Sequence, residues 1–324
     1  MIANARRWWI AIAFALMAAA PAQAQGDYPN RTIRIVVGFA AGGGNDIFAR
    51  LVGAKLQDLI GQTVIIENKA GAGSRLANEY AANQPADGYT LLVAASGGMS
   101  IASAIFPKLP YHPTKSFVPL TMIANFPLIL AIPASHPAKN IKELVEWMKS
   151  NPDKSNYATS SPAFTIATEL FKLKTGAPGQ AIPYKSSGES LVSVVGGQTL
   201  LTIADGPPAV PLIKGGQVRA LAVTGSVRSA ELPDVPTMAE AGLPDVNTGL
   251  WSGLFVQAAT PTPIVKKLEE TVRRAIADPE VNAKLKAMAV NPGGGSSDEF
   301  RGMIDADIKT TADVVKAAKL EFKD

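Results

Sequence analysis

The sequence predicts two α/β domains that the chain connects twice. Short β-rich runs alternate with helical patterns along almost the whole chain, a pattern typical of parallel strands covered by helices. Two apolar runs, 120–124 and 128–132, are separated only by residues 125–127, as if the chain left one sheet and entered another. A return is expected within 224–251, which is rich in turn residues. A cleft between the two domains would then receive a ligand.

The first 24 residues are typical of an export signal. A basic start with Arg6 and Arg7 precedes an apolar stretch at 8–20, and small residues up to Ala24 form a cleavage site. The apolar stretch is shorter than the ~20 residues that a spanning helix needs. We therefore expect cleavage after Ala24, a periplasmic location, and no direct membrane insertion of the mature chain.

The composition of the mature chain favours a small solute as the partner. Cleavage removes two arginines and leaves 29 basic against 27 acidic residues, a net charge of +2. No basic block survives, so we expect no nucleic-acid partner. The absence of cysteine excludes disulfides and thiolate chemistry, and no ligand spacing indicates a metal. We expect a monomer without a cofactor.

The first strand and the loop after it carry the strongest signal for binding. The apolar run 33–37 enters the glycine-rich loop 38–46, and an amphipathic helix follows. Consecutive glycines let a backbone pass close to a ligand, and Asn45 or Asp46 can cap the helix, whose first amides attract anions. The Lys and Ser or Thr of a nucleotide-phosphate loop are missing, which argues against a P-loop. The loop residues expected to contact a carboxylate or phosphate are Ala41, Gly42, Gly43 and Asp46.

Periodicity places the remaining elements. The helix near Asp46 aligns Ile47, Leu51, Leu56, Leu59 and Ile60 on one face, which we expect to meet the core. Further helices are predicted at 75–83, 141–148, 163–173 and 263–277, and strands at 64–67, 90–95, 120–124, 128–132, 199–204, 219–224 and 250–257. Domain 1 is predicted to comprise 27–124 and 247–324, and domain 2 to comprise 125–246.

Two more loops of the first half are candidates for ligand contact. Arg75 follows Ser74 in the first helical turn after a glycine-rich stretch, where a cation is disfavoured unless an anion offsets it. A solvated surface arginine is the alternative interpretation. Ser96 ends the strand 90–95 and could either donate to a ligand or form a turn.

The second half repeats the pattern of hydroxyl groups before helices. Thr159, Ser160 and Ser161 lead through a proline into one helix, and Tyr184 and Ser186 precede another. Tyr184 could equally belong to the core. Asp205 follows the strand 199–204, and we expect it either to cap the next helix or to hold a water or a polar group of the ligand.

Aromatic residues near these loops are either walls of the site or parts of the core. Phe39, Phe164 and Trp251 are the candidates, and core packing is the usual role of aromatics. Catalytic patterns are scarce. His112 and His136 lie in loop-like contexts and are expected at the surface, and no serine stands in a Gly-x-Ser-x-Gly elbow.

Several motifs together resemble the Bug receptor family, the extracytoplasmic solute-binding subunits of tripartite tricarboxylate transporters. The resemblance runs from Tyr28 to Phe300. The segments that carry it are IRIVVGF at 33–39, AGGGND at 41–46, EN at 67–68, GAG at 71–73, DGYTLL at 87–92, PYK at 183–185, GGQ at 196–198, RALAVT at 219–224 and LPDVPTMAEAG at 232–242.

The resemblance implies a two-domain periplasmic-binding-protein fold of the Venus flytrap, type II-like class. Such a receptor closes on a small carboxylate and delivers it to membrane permease subunits, without chemistry on the solute. In that family the carboxylate is held by main-chain amides, hydroxyls and waters. The loops that match are 41–46, 73–75, 96–98, 159–161, 184–186 and Asp205.

Departures from the family pattern fall on these same loops. Ala41 stands for a usual proline, and Ser74, Ala77 and Ser186 stand for glycines. Arg75 with Phe164 nearby indicates a bulkier ligand, an aromatic or other dicarboxylate. Two alternatives to a transport receptor stay open: a carboxylate-sensing module for a signalling receptor, and an exported serine hydrolase using Ser96 or Ser252.

Overall fold

Two mixed β-sheets organise the protein. The computed structural model describes residues 28–106 and 108–318, with the side chains of the last helix described up to 312. From Arg31 onward the chain is one unit by its contacts, and the account below concerns that unit. The predicted export signal, with its cleavage after Ala24, lies outside the described residues.

The first sheet takes strands from both ends of the unit. Its strands are β1 (Ile33–Val37), β2 (Val64–Asn68), β3 (Thr90–Ala95), β4 (Phe117–Pro127), β10 (Gly249–Gln257) and β11 (Asn291–Gly294), in the order β11-β4-β10-β3-β1-β2. The helices of these chain segments are α1 (Gly44–Ile60), α2 (Arg75–Ala82), α3 (Ala102–Ile105), α8 (Thr262–Ala277), α9 (Pro279–Ala287) and α10 (Ser297–Ala318). We call this part the first lobe.

The second sheet is built from the middle of the chain. Its strands are β5 (Ile129–Pro133), β6 (Tyr157–Thr159), β7 (Ala181–Pro183), β8 (Leu201–Ala204) and β9 (Val218–Val223), in the order β7-β6-β8-β5-β9. Its helices are α4 (Ile141–Ser150), α5 (Pro162–Thr175), α6 (Ser187–Val195) and α7 (Gly206–Lys214). We call this part the second lobe.

The predicted alternation of strands and helices is confirmed, but the expectation of purely parallel sheets is wrong. β1 pairs in parallel with β2 and β3, whereas β10 is antiparallel to both β3 and β4. In the second sheet, β5 is antiparallel to β8 and β9. The reason is that β5 and β10 are reached by passage between the lobes, so no crossover helix fixes their direction as it would in a βαβ unit.

The two passages between the lobes lie side by side. In the first passage, β4 ends at Pro127 and β5 begins at Ile129, so Leu128 is the single residue between these two strands. The amide of Leu128 donates to Thr224 Oγ1 at 2.8 Å, and the amide of Thr224 donates to the Leu128 carbonyl at 2.8 Å. A pair of adjacent crossings is the arrangement expected of a hinge. The predicted domain boundaries themselves, at 124/125 and 246/247, stay a prediction.

The buried face of α1 differs from the predicted one. Leu56 is fully buried as expected, but Ile47, Leu51, Leu59 and Ile60 are only partly buried. The helix instead buries a neighbouring stripe, with Phe48, Ala49, Val52 and Gly53. A Cβ on Gly53 would lie 3.2 Å from Ile66 Cδ1, so small residues on this stripe let α1 approach the sheet closely.

Trp251 belongs to the core of the first lobe and not to the wall of a ligand site. Its side chain is 5% exposed, its ring centroid lies 5.2 Å from that of Phe300, and its indole Nε1 donates to Asp307 at 2.9 Å. Phe255 and Phe117 continue the same aromatic cluster. The core-packing alternative is therefore the right one for Trp251.

Candidate functional site

The loop between β1 and α1 is held in place by Asp46. The Gly42 amide donates to Asp46 Oδ2 at 3.0 Å, and Asn68 Nδ2 donates to Asp46 Oδ1 at 2.9 Å and to the Phe39 carbonyl at 3.0 Å. Arg50 Nε is a third donor to Asp46, at 3.0 Å from Oδ2. Burial alone would raise the pKa of Asp46, but the hydrogen bonds from Arg50, Gly42 and Asn68 outweigh it and hold the pKa below its usual range. Asp46 is thus ionised and anchors the loop.

The capping expectation for this loop is wrong in detail. Helix α1 begins at Gly44 with Gly43 as N-cap, and no side chain caps it there. Asn45, the residue expected to cap, instead accepts a hydrogen bond from Ser252 Oγ at 2.6 Å. The side-chain oxygens of Asn45 and Asp46 accept hydrogen bonds from other groups, and the glycines leave the start of the helix accessible to a neighbour.

The loop before α2 is strongly twisted. Gly71, Ala72, Gly73 and Ser74 have φ values of 151°, 48°, 62° and 76°, so two residues other than glycine adopt the left-handed region. This twist buries Ser74, whose Oγ has no hydrogen-bond partner within residues 28–106 and 108–318. Arg75 then opens α2.

The Arg75 side chain stacks on an aromatic residue that sequence reasoning missed. Its guanidinium carbon lies 3.7 Å from the centroid of the Phe106 ring, and its Nε donates to the Ala72 carbonyl at 3.1 Å. Phe106 follows α3, in a loop that no sequence pattern linked to Arg75. Phe164, expected near Arg75, is 8% exposed on α5 and is not among the residues that line the cavity described below.

The hydroxyl-rich loops of the second lobe are tied to each other. The Tyr184 amide donates to the Thr159 carbonyl at 2.7 Å, and Thr159 Oγ1 lies 2.9 Å from Thr165 Oγ1. Ser161 is the N-cap of α5, and Ser160 Oγ is buried without a partner. The start of α5, with its free amides, therefore stands next to an unpartnered hydroxyl.

These loops of both lobes enclose a cavity of about 290 Å³. Seven of the predicted site residues line it: Phe39, Ser74, Arg75, Thr159, Ser160, Ser161 and Tyr184. Nine further residues line it, among them Phe106, Thr165 and Lys185; of these three, only Lys185 falls in a loop, 184–186, that the resemblance implied. We call this space the interlobe cavity.

The charge of the interlobe cavity is wholly positive. Arg75 comes from the first lobe and Lys185 from the second, and no Asp or Glu is among the lining residues. Four larger cavities are found among the described residues. Those of about 770, 610 and 360 Å³ include acidic side chains such as Asp307, Glu270 and Glu143, and the one of about 430 Å³ has no Lys or Arg in its lining. The smaller interlobe cavity combines cations with the absence of acids, so it is the better candidate for binding an anion.

Other predicted site residues lie outside this cavity, where the two lobes touch. The Ala40 amide donates to the Lys185 carbonyl at 3.1 Å across the lobes. A Cβ on Gly43 would lie 3.0 Å from Ser186 Cβ, and one on Gly188 would lie 2.6 Å from the Gly42 carbonyl oxygen. We call this contact, formed by 41–44 with 186–188 and Asp205, the lobe junction.

Asp205 is buried at the lobe junction. Only 3% of the residue is exposed, and its Oδ1 has no hydrogen-bond partner among the described residues. It is the N-cap residue of α7, but its side chain makes no capping hydrogen bond. Burial raises the pKa of Asp205 to about 6, although a hydrogen bond with Ser187 partly opposes the rise.

The serines proposed for hydrolysis have structural partners. Ser252 is fully buried and bonds to Asn45, and Ser96 Oγ accepts from the Trp251 amide at 3.4 Å. Neither serine bonds to a histidine among the described residues. The two histidines expected at the surface are partly exposed. The ring centroid of His136 lies 4.7 Å from that of Trp147, and partial burial lowers the pKa of His112 and of His136.

Metal and membrane features are also absent from the described part of the chain. No group of three His, Asp or Glu side chains there could hold a metal ion. Across residues 28–106 and 108–318, no helix combines the length and the hydropathy required to cross a bilayer.

Comparison with known proteins identifies the family. Residues 48–320 match the TctC family, described as the tripartite tricarboxylate transporter family receptor. BugT of Bordetella pertussis is 33% identical over 308 residues, which cover 94% of each chain. The chain belongs to the TctC family. The predicted membership of the Bug receptors is confirmed, and receptors of this family are periplasmic solute-binding proteins that work with transporter permeases.

Solved structures of relatives confirm the fold of this TctC-family chain. An R. palustris protein solved with adipate superimposes with a TM-score of 0.85 at 34% identity, covering 91% of this chain and 99% of that one. MatC from Rhodopseudomonas palustris, solved with bound malate, gives a TM-score of 0.84 at 33% identity, covering 89% and 100%. The two-domain periplasmic-binding-protein fold is therefore shown.

Proposed function

We propose that this protein is a periplasmic receptor that captures a small organic dicarboxylate by closure of its two lobes. The observation that carries the proposal is the interlobe cavity, where Arg75 and Lys185 approach from opposite lobes and no lining residue is acidic. A ligand with two negative groups can engage both cations only when the lobes are together. Its contacts to both lobes would therefore favour the closed state.

Unsatisfied polar groups support an anionic ligand in the same cavity. Ser160 Oγ in the second lobe is buried without a partner among the described residues, and so is Ser74 Oγ in the first lobe, which packs against Gly98. A buried hydroxyl without a partner costs free energy, which an acceptor would recover. The starts of α2 and α5 follow these serines, so backbone amides with partial positive charge lie beside them.

Aromatic side chains define what lies between the two charges. Phe39, Phe106 and Tyr184 line the cavity and offer apolar surface to a hydrocarbon chain or a ring. The cavity volume of about 290 Å³ suits a small molecule. Relatives solved with adipate and with malate show that this fold accepts dicarboxylates of different length.

The proposal includes delivery of the solute to the permease subunits of a tripartite tricarboxylate transporter, with no chemistry on the solute. Its support is the family, whose receptors serve such transporters. A deletion strain should lose uptake of the solute while expression of the transporter persists. Loss of induction with intact uptake would instead support the sensing role.

A binding panel tests the carboxylate proposal. The mature chain should be melted and titrated calorimetrically with mono-, di- and tricarboxylates, and with neutral sugars and amines as controls. At least one dicarboxylate should bind with a micromolar or lower Kd and raise the Tm, because a ligand that binds only the folded state stabilises it by RT ln(1 + [L]/Kd). Stabilisation by sugars or amines alone would refute the proposal, and so would turnover of the bound acid.

A further inference from the structure

The carboxylate of Asp205 occupies an unusual place for an acidic group. It follows β8 in the second lobe, it is 3% exposed, and one of its oxygens has no hydrogen-bond partner in the part of the chain that the structure describes. Removing an ionised carboxylate from water without a compensating partner is costly. The position of Asp205 therefore works against its own ionisation.

The first lobe provides part of the cover over Asp205. A Cβ built on Gly44, at the start of α1, would lie 1.9 Å from Asp205 Oδ2, so only a glycine lets the two lobes approach this far. Ser187, at the start of α6, is a hydrogen-bond partner from the same lobe as Asp205. Separation of the lobes would remove Gly44 and let water reach the carboxylate.

Among the described residues, no cation lies close enough to Asp205 to offset its charge, since only burial, Ser187 and its own backbone amide influence the carboxylate. On α1, Asp46 is already paired with Arg50, and on α6, Glu189 accepts from the Lys185 amide at 2.9 Å. Lys214, at the far end of α7, is paired with Glu231 at 2.6 Å. Lys286 lies on α9 and is exposed; the helix is followed by Met288, whose carbonyl packs against Gly206. The remaining charged groups around Asp205 are thus engaged with other partners or with solvent.

We propose that ionised Asp205 opposes closure of the ligand-free receptor at neutral pH, and that protonation of Asp205 favours the closed state. The meaning of this switch rests on the proposed function, since closure is how the receptor would hold its dicarboxylate. In the closed state, burial raises the pKa of Asp205 to about 6 from an ordinary 3.8. A group whose pKa rises on closure stabilises the closed state at low pH, and this stabilisation is lost as the pH rises through about 6.

The size of the effect follows from the two pKa values. If Asp205 has its ordinary pKa in the open state, the closed-to-open ratio should rise about ten-fold between pH 7.5 and pH 5.0. Most of the change should occur below pH 6, where the closed state binds the proton and the open state does not.

An interlobe distance measurement on ligand-free protein tests the switch. The chain has no cysteine, so Asp58→Cys on α1 and Lys149→Cys on α4 give one spin-labelled pair that spans the lobes. Pulsed electron paramagnetic resonance should show that the population at the closed distance, relative to the population at the open distance, is about ten-fold higher at pH 5.0 than at pH 7.5. An unchanged distribution would overturn the proposal.

Variants separate Asp205 from general effects of acid. Asp205→Asn, which is neutral and nearly isosteric, should favour the closed distance at both pH values and lose the pH response. The exposed acid Asp153, in the same lobe, provides the control: Asp153→Asn should keep the response of the parent protein. A pH response that survives in Asp205→Asn would overturn the proposal.

A second variant covers the case in which Asp205→Asn does not fold. Gly44→Ala places a methyl group against Asp205 and should shift the pair to the open distance at both pH values, with an unchanged Tm. A closed distribution in Gly44→Ala would contradict the junction geometry. None of these measurements uses a ligand, so the switch and the carboxylate proposal can fail independently.

Discussion

The interlobe cavity and the lobe junction are made from the same kinds of residue, but the first leaves an open space and the second is closely packed. Both consist of loops that follow strands, carry glycines and hydroxyls, and lead into helix starts. At the cavity the loops of the two lobes leave a space of about 290 Å³, whereas at the junction Gly44 lies directly against Asp205. A glycine-rich helix start therefore permits close approach but does not determine which group approaches. In this protein a solute would fill one such place, and the opposite lobe fills the other.

The largest effect should come from adding volume at the junction. Gly44→Ala should weaken dicarboxylate binding about 100-fold, because overpacking of about 3 kcal/mol would fall on the closed state alone. Calorimetric titration measures the Kd. Gly302→Ala on α10, where a Cβ would meet nothing within 4 Å, is the matched control and should bind normally. Near-normal affinity in Gly44→Ala would show that the junction does not need to close.

A smaller effect is expected from removing a cation of the cavity. Arg75→Gln should weaken dicarboxylate binding about 30-fold, since hydrogen bonds to charged groups contribute about 2 kcal/mol. Binding of a monocarboxylate of similar size should change less than about three-fold, which sharpens the assignment of Arg75 to the second carboxylate. The exposed Arg273→Gln on α8 is the control. An unchanged dicarboxylate Kd in Arg75→Gln would remove Arg75 from the site.

Two buried serines separate binding from stability. Ser160→Ala should weaken binding about five-fold. The Tm should stay unchanged or rise slightly, because the Ser160 hydroxyl has no partner among the described residues. Ser155→Ala should do the reverse. Its hydroxyl donates to the carbonyls of Met148 and Asn151 at 3.2 and 2.7 Å, so its loss should cost about 1 kcal/mol of unfolding free energy without changing the Kd. Equal losses of stability in both variants would contradict the assignment of Ser160 to the cavity.

The smallest change in affinity should come from Asp46, which anchors the loop near both regions. Asp46→Asn should lower the free energy of unfolding at pH 7 by about 1 kcal/mol, a modest value because Arg50 is about half exposed. The native pKa of Asp46 is lowered, so its stabilisation is present above pH 3.8 and is lost as the pH falls through the native pKa. Denaturant unfolding should show a smaller difference in the free energy of unfolding between the parent and the variant at pH 3 than at pH 7. A Kd raised more than about three-fold would instead place the carboxylate in direct ligand contact.

The parts of the fold that depend on local periodicity were predictable. The strands β1 and β3 and the start of α2 at Arg75 agree with the predicted bounds within a residue or two. Other parts could not be predicted because their signals are short or non-local. β6 and β11 have three and four residues, too few for a periodic pattern, and the antiparallel direction of β10 depends on a passage from the other lobe.

The candidate site was predictable loop by loop but not as an arrangement. Seven predicted residues meet in the cavity because the carboxyl ends of parallel strands collect at one edge of a sheet. Phe106 was missed because its stacking on Arg75 joins two loops that are distant along the chain. Lys185 lies in the loop 184–186 that the resemblance implied, but nothing in its own sequence neighbourhood shows that its side chain lines a cavity.

The sequence by itself determined the family, the two-lobed α/β architecture and the loops able to coordinate an anion, because these depend on local pattern and on the backbone freedom of glycine. Only the tertiary structure decided which of those loops enclose a space and which press against one another. That choice depends on distances between residues far apart in the chain, such as Gly44 and Asp205, and no local pattern encodes those distances.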